Sequence, residues 1–221
     1  MNLNYTVSQG SFDSSVSQCG IETVVTSRAF LEKIKVSPRG GAVCLEEIAS
    51  GISKACRVLA LAMALLLPAR LLERALGAKR RWSLDDLATV IFSSGSTGEP
   101  KGVMLTHYNI HANIEGIAQV MRTEPRDRVL GVLPFFHSFG FTGTLFFPLV
   151  KGFGAVYHPN PMDARAVGEL AARHRATIFV ATPTFLQSYI RRVDPGQFGS
   201  LRFVLTGAEK LPDRVAASFE E

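Results

Sequence analysis

Two side chains stand where their neighbours suit chemistry, Lys101 and His137. Lys101 lies near the end of Phe92-Ser93-Ser94-Gly95-Ser96-Thr97-Gly98-Glu99-Pro100-Lys101-Gly102. Glycines there let successive backbone N–H groups turn inward into a concave anion site, which a residue with a Cβ resists. The hydroxyls of Ser93, Ser94, Ser96 and Thr97 add donors for phosphate oxygens, and Lys101 adds a compact positive charge. Such a loop suits a nucleotide triphosphate. It is not the Gly-Lys-Ser/Thr loop, because Pro100 precedes Lys101 and Gly102 follows it. His137 lies in Leu133-Pro134-Phe135-Phe136-His137-Ser138-Phe139-Gly140-Phe141. Taken alone, a histidine among phenylalanines is more often part of a core or a turn.

These residues need elements to hold them. Leu87, Ala88, Val90 and Ile91 enter the glycine-rich stretch and Val103, Met104 and Leu105 leave it, so it reads as strand, polar loop, strand. Further strands are expected at Val129–Leu133, Gly154–Tyr157, Thr177–Val180 and Arg202–Leu205 beside Ala88–Phe92. Helices are expected over 107–122, 140–150, 163–175, 183–192 and 212–220. Thr106 and Asp163 are placed to cap two of them, and Pro183 and Pro212 sit where a first-turn proline is tolerated. Strands alternating with helices of this length predict an α/β fold, a parallel sheet covered by helices on both faces. Ligands then bind at the carboxyl ends of the strands, where the loop from Ser93 to Gly102 is expected. Thr182-Pro183-Thr184 and Thr206-Gly207-Ala208-Glu209 each follow a strand and belong to that edge. The first suits a capped helix start as well as a site, and the small residues of the second let a flat base approach the backbone.

The chain divides by character into three parts: 1–53, 54–83 and 84–221. The first reads as a partial α/β piece, with helix residues at Asp13–Gln18, a strand at Ile21–Thr26, a helix capped by Ser27, a turn at 38–41 and a short strand at Ala42–Leu45. The middle part carries ten apolar residues, Val58–Leu67, then Pro68 and the cations Arg70, Arg74, Lys79, Arg80 and Arg81. Ten helical residues reach about 15 Å, half of a bilayer core. A buried or partner-covered helix with an incidental basic tail is one reading. A segment lying on an anionic membrane surface is the other.

With 221 residues and 47% hydrophobic residues the chain holds enough apolar material for a sizeable core. Its net charge of +5 does not mark a nucleic-acid surface, because aromatic residues do not interleave with the basic ones. Cys19, Cys44 and Cys56 are too few and too scattered for a disulfide framework or zinc site, and fit reduced thiols in the cytoplasm. The first residues lack the basic and apolar regions of a signal peptide. His158 and Asp163 match the His-x4-Asp spacing of glycerophospholipid acyltransferases, but the two intervening prolines and the strand-to-helix position predict an ordinary connection.

Ser93 to Gly102, read whole, resembles the phosphate loop of the adenylate-forming superfamily of acyl-CoA synthetases, luciferases and peptide-synthetase adenylation domains. The segment around His137 resembles the second block of that superfamily, and Gly207, Ala208 and Glu209 resemble its adenine-contacting turn. Gly-Ala-Glu-Lys-Leu together with Phe-His-Ser-Phe-Gly-Phe is most similar to the bacterial acyl–acyl-carrier-protein synthetase branch joined to a 2-acylglycerophosphoethanolamine acyltransferase. The resemblance implies an incomplete part of the large N-terminal domain of such an enzyme. It implies ATP and Mg²⁺ as cofactors, and a fatty acid activated to acyl-AMP and passed to a phosphopantetheine thiol, of acyl carrier protein or of CoA.

By the same resemblance Ser93, Ser94, Gly95, Ser96, Thr97, Gly98 and Lys101 bind phosphates, while Gly207, Ala208 and Glu209 bind the base. Phe136, His137, Thr182 and Thr184 line the acyl site, and His137 and Lys101 carry the catalytic roles. A cytoplasmic protein peripheral to the inner membrane, working in phospholipid recycling, is the matching location. In the family a Tyr-Gly-x-Thr-Glu block and a small lysine-bearing domain follow the adenine turn. The sequence ends before them, so an internal fragment without turnover of its own is expected. A long-chain acyl-CoA synthetase is the alternative within the fold. A non-catalytic nucleotide-binding or membrane-associated module is the alternative outside it.

Overall fold

The computed structural model describes residues 1–38, 41–77, 83–94 and 100–220. Its backbone packing divides the chain into two compact units: Leu3–Asp86 with Phe92–Val103, and Met1–Asn2 with Leu87–Ile91 and Met104–Glu221.

The first unit opens with helix α1, Gln9–Gln18, whose start is capped by the Ser8 hydroxyl. Strand β1, Thr23–Thr26, leads to α2, Arg28–Leu31, where Ser27 accepts a hydrogen bond from the Phe30 N–H as its sequence position predicts. Strand β2, Gly41–Cys44, pairs in parallel with β1 over four residues, Thr23 opposite Gly41 and Thr26 opposite Cys44. Three helices follow: α3, Leu45–Gly51, α4, Lys54–Leu66, and α5, Ala69–Ala75. None of the three has a buried residue. Of the two readings of 54–81, a helix buried within this chain is not what its described residues show; a helix covered by a partner and a segment on a membrane surface both fit the exposed positions.

Strand β3, Leu87–Ser94, and strand β4, Pro100–Thr106, form a two-stranded sheet of their own. This corrects the expected position of the glycine-rich stretch at the end of a strand in the larger parallel sheet. Only five residues join β3 to β4, whereas a parallel crossover needs a dozen or more. Ser93 and Ser94 belong to β3 and Lys101 to β4, while Gly95, Ser96, Thr97 and Gly98 lie outside the described residues.

The second unit holds the main sheet. Its strands β5, Arg128–Gly131, β6, Gly154–Tyr157, β7, Ile178–Ala181, and β8, Phe203–Thr206, are all parallel, in the order β6-β5-β7-β8. The register sets Val129 beside Ile178 and Ile178 beside Phe203. All four residues of β7 are buried, as a continuous apolar run in the middle of a parallel sheet should be. Helix α6, His107–Val120, starts in a capping box: Thr106 Oγ1 accepts from the Asn109 N–H and Asn109 Oδ1 accepts from the Thr106 N–H.

Helices α9, Ala164–His174, α10, Pro183–Arg192, and α11, Asp213–Glu220, fall within a residue or two of their expected spans. Ile114 of α6, Val167 of α9, Tyr189 of α10 and Val215 of α11 share one core with Val129, Leu130 and Phe179. The fold is α/β, a parallel sheet with helices packed against it.

The region expected as one helix over 140–150 is more complex. A three-residue helix, α7, Ser138–Gly140, runs into a wider π-type stretch, Phe141–Phe146, and then α8, Phe147–Lys151. The hydroxyl of Thr144 donates back to the Gly140 carbonyl at 2.7 Å, and the Tyr157 hydroxyl donates to the Thr144 carbonyl at 2.8 Å. Side chains that take backbone acceptors in this way widen a helical turn, and such turns gather at functional sites.

Candidate functional site

Three of the singled-out segments leave the carboxyl ends of adjacent parallel strands. His137 follows β5, Thr182 follows β7 and Gly207 follows β8. Strand β7 lies between the other two, so the sheet order brings all three to one edge. This is where an open α/β sheet binds ligands.

The close approaches along that edge are specific. A Cβ on Gly207 would lie 3.0 Å from two ring carbons of Phe139, so only glycine fits against that ring without displacement. Ala208 follows at φ 69°, in the left-handed region that a side chain disfavours. Glu209 then turns its carboxylate to Thr184, whose hydroxyl donates to Oε2 at 2.7 Å. That bond ties the turn after β8 to the first turn of α10. Thr182 spends its own oxygen on the α10 cap, accepting from the Phe185 N–H.

Beneath the turn is a cleft of ≈ 350 Å³. Ile117, Phe147, Ile178, Val180 and Leu205 give it apolar walls, while Asn113, Ser138 and Thr142 supply polar groups. Phe139, Gly207 and Ala208 also border it. A mostly apolar cleft with a few polar groups is the ordinary form of a small-molecule site. The four acyl-site candidates Phe136, His137, Thr182 and Thr184 are not among the residues that line it. Their neighbours in sequence do so instead. Residues such as Ile117 could have been suspected only from the inward face of α6.

His137 is exposed, stands next to the buried Phe136 and holds its ring 4.5 Å from that phenyl ring. Desolvation by the surrounding protein lowers its pKa below the usual histidine value, which favours the neutral imidazole at neutral pH. The turn it begins needs Gly140, where a Cβ would come within 2.5 Å of the Pro134 carbonyl oxygen. A neutral imidazole held this way can donate or accept one hydrogen bond to an oxygen of a ligand.

Ser93 and Lys101 belong to the other unit and are described within it. Ser93 Oγ approaches the Lys101 carbonyl at 3.5 Å, and Lys101 itself is exposed. The β4 end of the stretch is held by α1, since Gln18 Nε2 donates to the Pro100 carbonyl at 3.1 Å. Among the described residues no group of three or more His, Cys, Asp or Glu side chains could hold a metal ion. A magnesium ion is commonly held through one or two carboxylates and the phosphates of its nucleotide, so a dedicated protein cage is not required.

The His158–Asp163 spacing behaves as a connection. Asp163 Oδ1 accepts from the Ala166 N–H as the cap of α9, and His158 Nε2 stands 3.8 Å from Asp163 Oδ2, too far for a hydrogen bond.

At the opposite, amino-terminal edge of the sheet is a polar cluster with no counterpart in the sequence reading. Asp127 is fully buried. Its Oδ1 accepts from Thr177 Oγ1 and from Arg202 Nη1, both at 2.8 Å, and its Oδ2 accepts from the Glu124 N–H at 2.6 Å. Burial alone pushes the carboxyl pKa up, but the Glu124 N–H, the Thr177 hydroxyl and the Arg202 charge outweigh it and bring the pKa below the usual value.

A glycine-built turn, an exposed histidine and an apolar cleft stand at the carboxyl ends of parallel strands, the ordinary place of a small-molecule site in an open α/β sheet. Residues 1–221 match the family of AMP-binding enzymes, and the chain belongs to that family. A long-chain-fatty-acid–CoA ligase of Bacillus subtilis (strain 168) is 34% identical over 140 residues, which is 62% of this chain and 25% of that protein. O-succinylbenzoate coenzyme A synthetase of Bacillus subtilis, solved with AMP, is similar to 99% of this chain and covers it with 50% of its own length, at a TM-score of 0.74 and 22% identity. A fatty acyl-adenylate ligase from L. pneumophila, solved with acyl adenylate and pyrophosphate, gives a TM-score of 0.71 at 19% identity, over 95% of this chain and 35% of that one. At these identities the two structures speak for the fold. The chain spans about a quarter of the length of the curated relative.

Proposed function

We propose that the chain is the nucleotide- and acyl-binding part of an ATP-dependent acid–thiol ligase acting on a fatty acid. One observation carries the reading. The turns after β5 and β8, which leave the same sheet edge as the Thr182 turn after β7, border one apolar cleft whose mouth is shaped by Gly207 and Ala208.

In the first step a carboxylate oxygen of the acid attacks the α-phosphorus of ATP and pyrophosphate leaves, giving acyl-AMP. In the second a thiol sulfur attacks the acyl carbonyl, AMP leaves and the thiol proton passes to solvent. Both steps depend on positioning and on stabilising charge at phosphorus rather than on proton removal from the acid. Gly207 and Ala208 would receive the adenine, His137 would hold an oxygen of the acyl phosphate and Lys101 would neutralise phosphate charge. Ser93, Ser94, Gly95, Ser96, Thr97 and Gly98 would cradle the phosphates. Magnesium, when bound, would offset the charge on the leaving pyrophosphate; the O-succinylbenzoate enzyme of Bacillus subtilis has also been solved with ATP and magnesium ion.

The acceptor thiol is that of acyl carrier protein in one reading, after the Gly-Ala-Glu-Lys-Leu turn, and of CoA in the other. The CoA reading draws on the fatty-acid–CoA ligase relative. Transfer assays with the two thiols, on a protein that carries this segment at full length, separate them.

Calorimetry of ATP on the chain tests the shared part. ATP binding should weaken about ten-fold in Lys101→Ala, the scale of one charge-assisted hydrogen bond. A folded variant that binds ATP as the parent does would remove Lys101 from the site.

A further inference from the structure

The helices α3, α4 and α5 present an apolar surface that the nucleotide site does not use. In α4 Val58, Leu61 and Leu65 fall at i, i+3 and i+7, one face of a helix, and are 68%, 60% and 75% exposed. Leu59 and Leu66 widen this stripe. Leu45, Ile48 and Ile52 repeat the spacing along and just beyond α3, and Leu71 and Leu76 continue the apolar surface at α5; all five are exposed. Arg57 Nη2 donates to the Ala49 carbonyl at 2.9 Å and so fixes the corner between α3 and α4, which bend by 93°. Apolar surface of this extent is expensive to leave in water and marks a contact.

Charge at the rim selects the contact. From Ile52 to Gly77 the charged side chains are Lys54, Arg57, Arg70 and Arg74 against Glu73 alone. Lys54, Arg70 and Arg74 have no ion pair among the described residues. The nearest other carboxylates, Glu46 and Glu47, are both turned onto Arg28. Cations with a single carboxylate around exposed leucines suit an anionic surface that also takes up apolar side chains. An anionic bilayer surface matches it: leucines enter the boundary between headgroups and acyl chains while Lys and Arg meet lipid phosphates. Crossing is not the expected mode. The thirteen residues of α4 reach about 20 Å against a hydrocarbon core of about 30 Å, and no single described helix is long and apolar enough to span; α3 and α4 together have the length and composition, but the 93° bend between them sets their axes nearly at right angles.

We infer that α4, with the apolar edges of α3 and α5, docks this protein flat on an anionic phospholipid bilayer. The inference stands apart from the ligase reading, since it uses none of the nucleotide-site residues.

Co-sedimentation of the chain with phosphatidylcholine vesicles, with and without phosphatidylglycerol, tests it. Binding should require phosphatidylglycerol and fall as salt rises. Arg70→Ala with Arg74→Ala should weaken it about twenty-five-fold, at about five-fold per cation. Leu61→Glu with Leu65→Glu should weaken it by at least about ten-fold while far-UV circular dichroism stays unchanged, because both positions are exposed. Equal binding to neutral vesicles, or no vesicle binding, overturns the inference. It is also overturned if the leucine variants dissociate an oligomer in sedimentation velocity yet bind vesicles as before, for the face is then a contact between copies.

Discussion

The two edges of the four-stranded sheet use polar groups in opposite ways. At the amino-terminal edge Asp127 is fully buried with three hydrogen-bond donors on its carboxylate, so charge and hydrogen-bonding capacity are consumed within the fold. At the carboxyl-terminal edge Glu209 and His137 are exposed, Ala208 sits at positive φ and a glycine abuts a phenyl ring. The first arrangement locks strand ends together. The second keeps polar groups and backbone available to something else and carries local strain to do it. The same sheet thus separates stability from binding by its two ends.

The sharpest way to test that separation is at Asp127. Asp127→Ala leaves the Thr177 hydroxyl, the Arg202 guanidinium and the Glu124 N–H without their acceptor and should cost about 3–5 kcal/mol of stability. Urea denaturation reads the loss, and ATP affinity of the folded fraction should be unchanged. If affinity falls with stability, the two edges are not independent. The pH dependence has a definite sign. The Asp127 pKa is lowered on folding, so its contribution is complete above the ordinary carboxylate range and is lost as pH falls below about 4. Parent and Asp127→Ala stabilities should therefore converge in acid; a gap that stays constant down to pH 2 would mean the carboxylate charge is not what stabilises.

Gly207→Val applies the opposite test. Its side chain would have to displace the Phe139 ring, an overpacking cost of about 1–3 kcal/mol, at the mouth of the cleft. Binding of ATP should drop sharply while urea midpoints move much less than for Asp127→Ala. A variant that binds ATP normally would take the turn after β8 out of the nucleotide site.

How much of this was legible beforehand follows the same division. Strands β5 to β8 and helices α6, α9, α10 and α11 show in the sequence because alternation of apolar runs with capped helices is a local signal. Thr106, Asp163 and Thr182 cap their helices in the structure. The segments that meet at the carboxyl edge were legible too, since each is a short motif directly after a strand. The Asp127 cluster was not, because the two side chains that hold it stand 50 and 75 residues away and nothing local marks a buried aspartate. The pairing of β3 with β4 was misplaced for a related reason: an apolar strand does not state which sheet it joins. The cleft walls depend on the inward faces of α6, β7 and β8 together, which spacing within one segment does not reveal.

The smallest expected effect is at Thr184. Its hydroxyl donates to Glu209 Oε2 at 2.7 Å from an exposed position. Thr184→Val keeps the shape and removes the donor, which should cost about 0.5–1 kcal/mol at most, because solvent can replace part of the bond. If the bond serves the fold, as the cluster at the other edge does, the loss will appear in the urea midpoint. If it serves to hold the turn after β8 for the proposed ligand, stability will stay near the parent value and ATP affinity will fall by about two- to five-fold. The second outcome is expected, since Glu209 and Thr184 both lie on the edge where polar groups are left open to solvent and ligand.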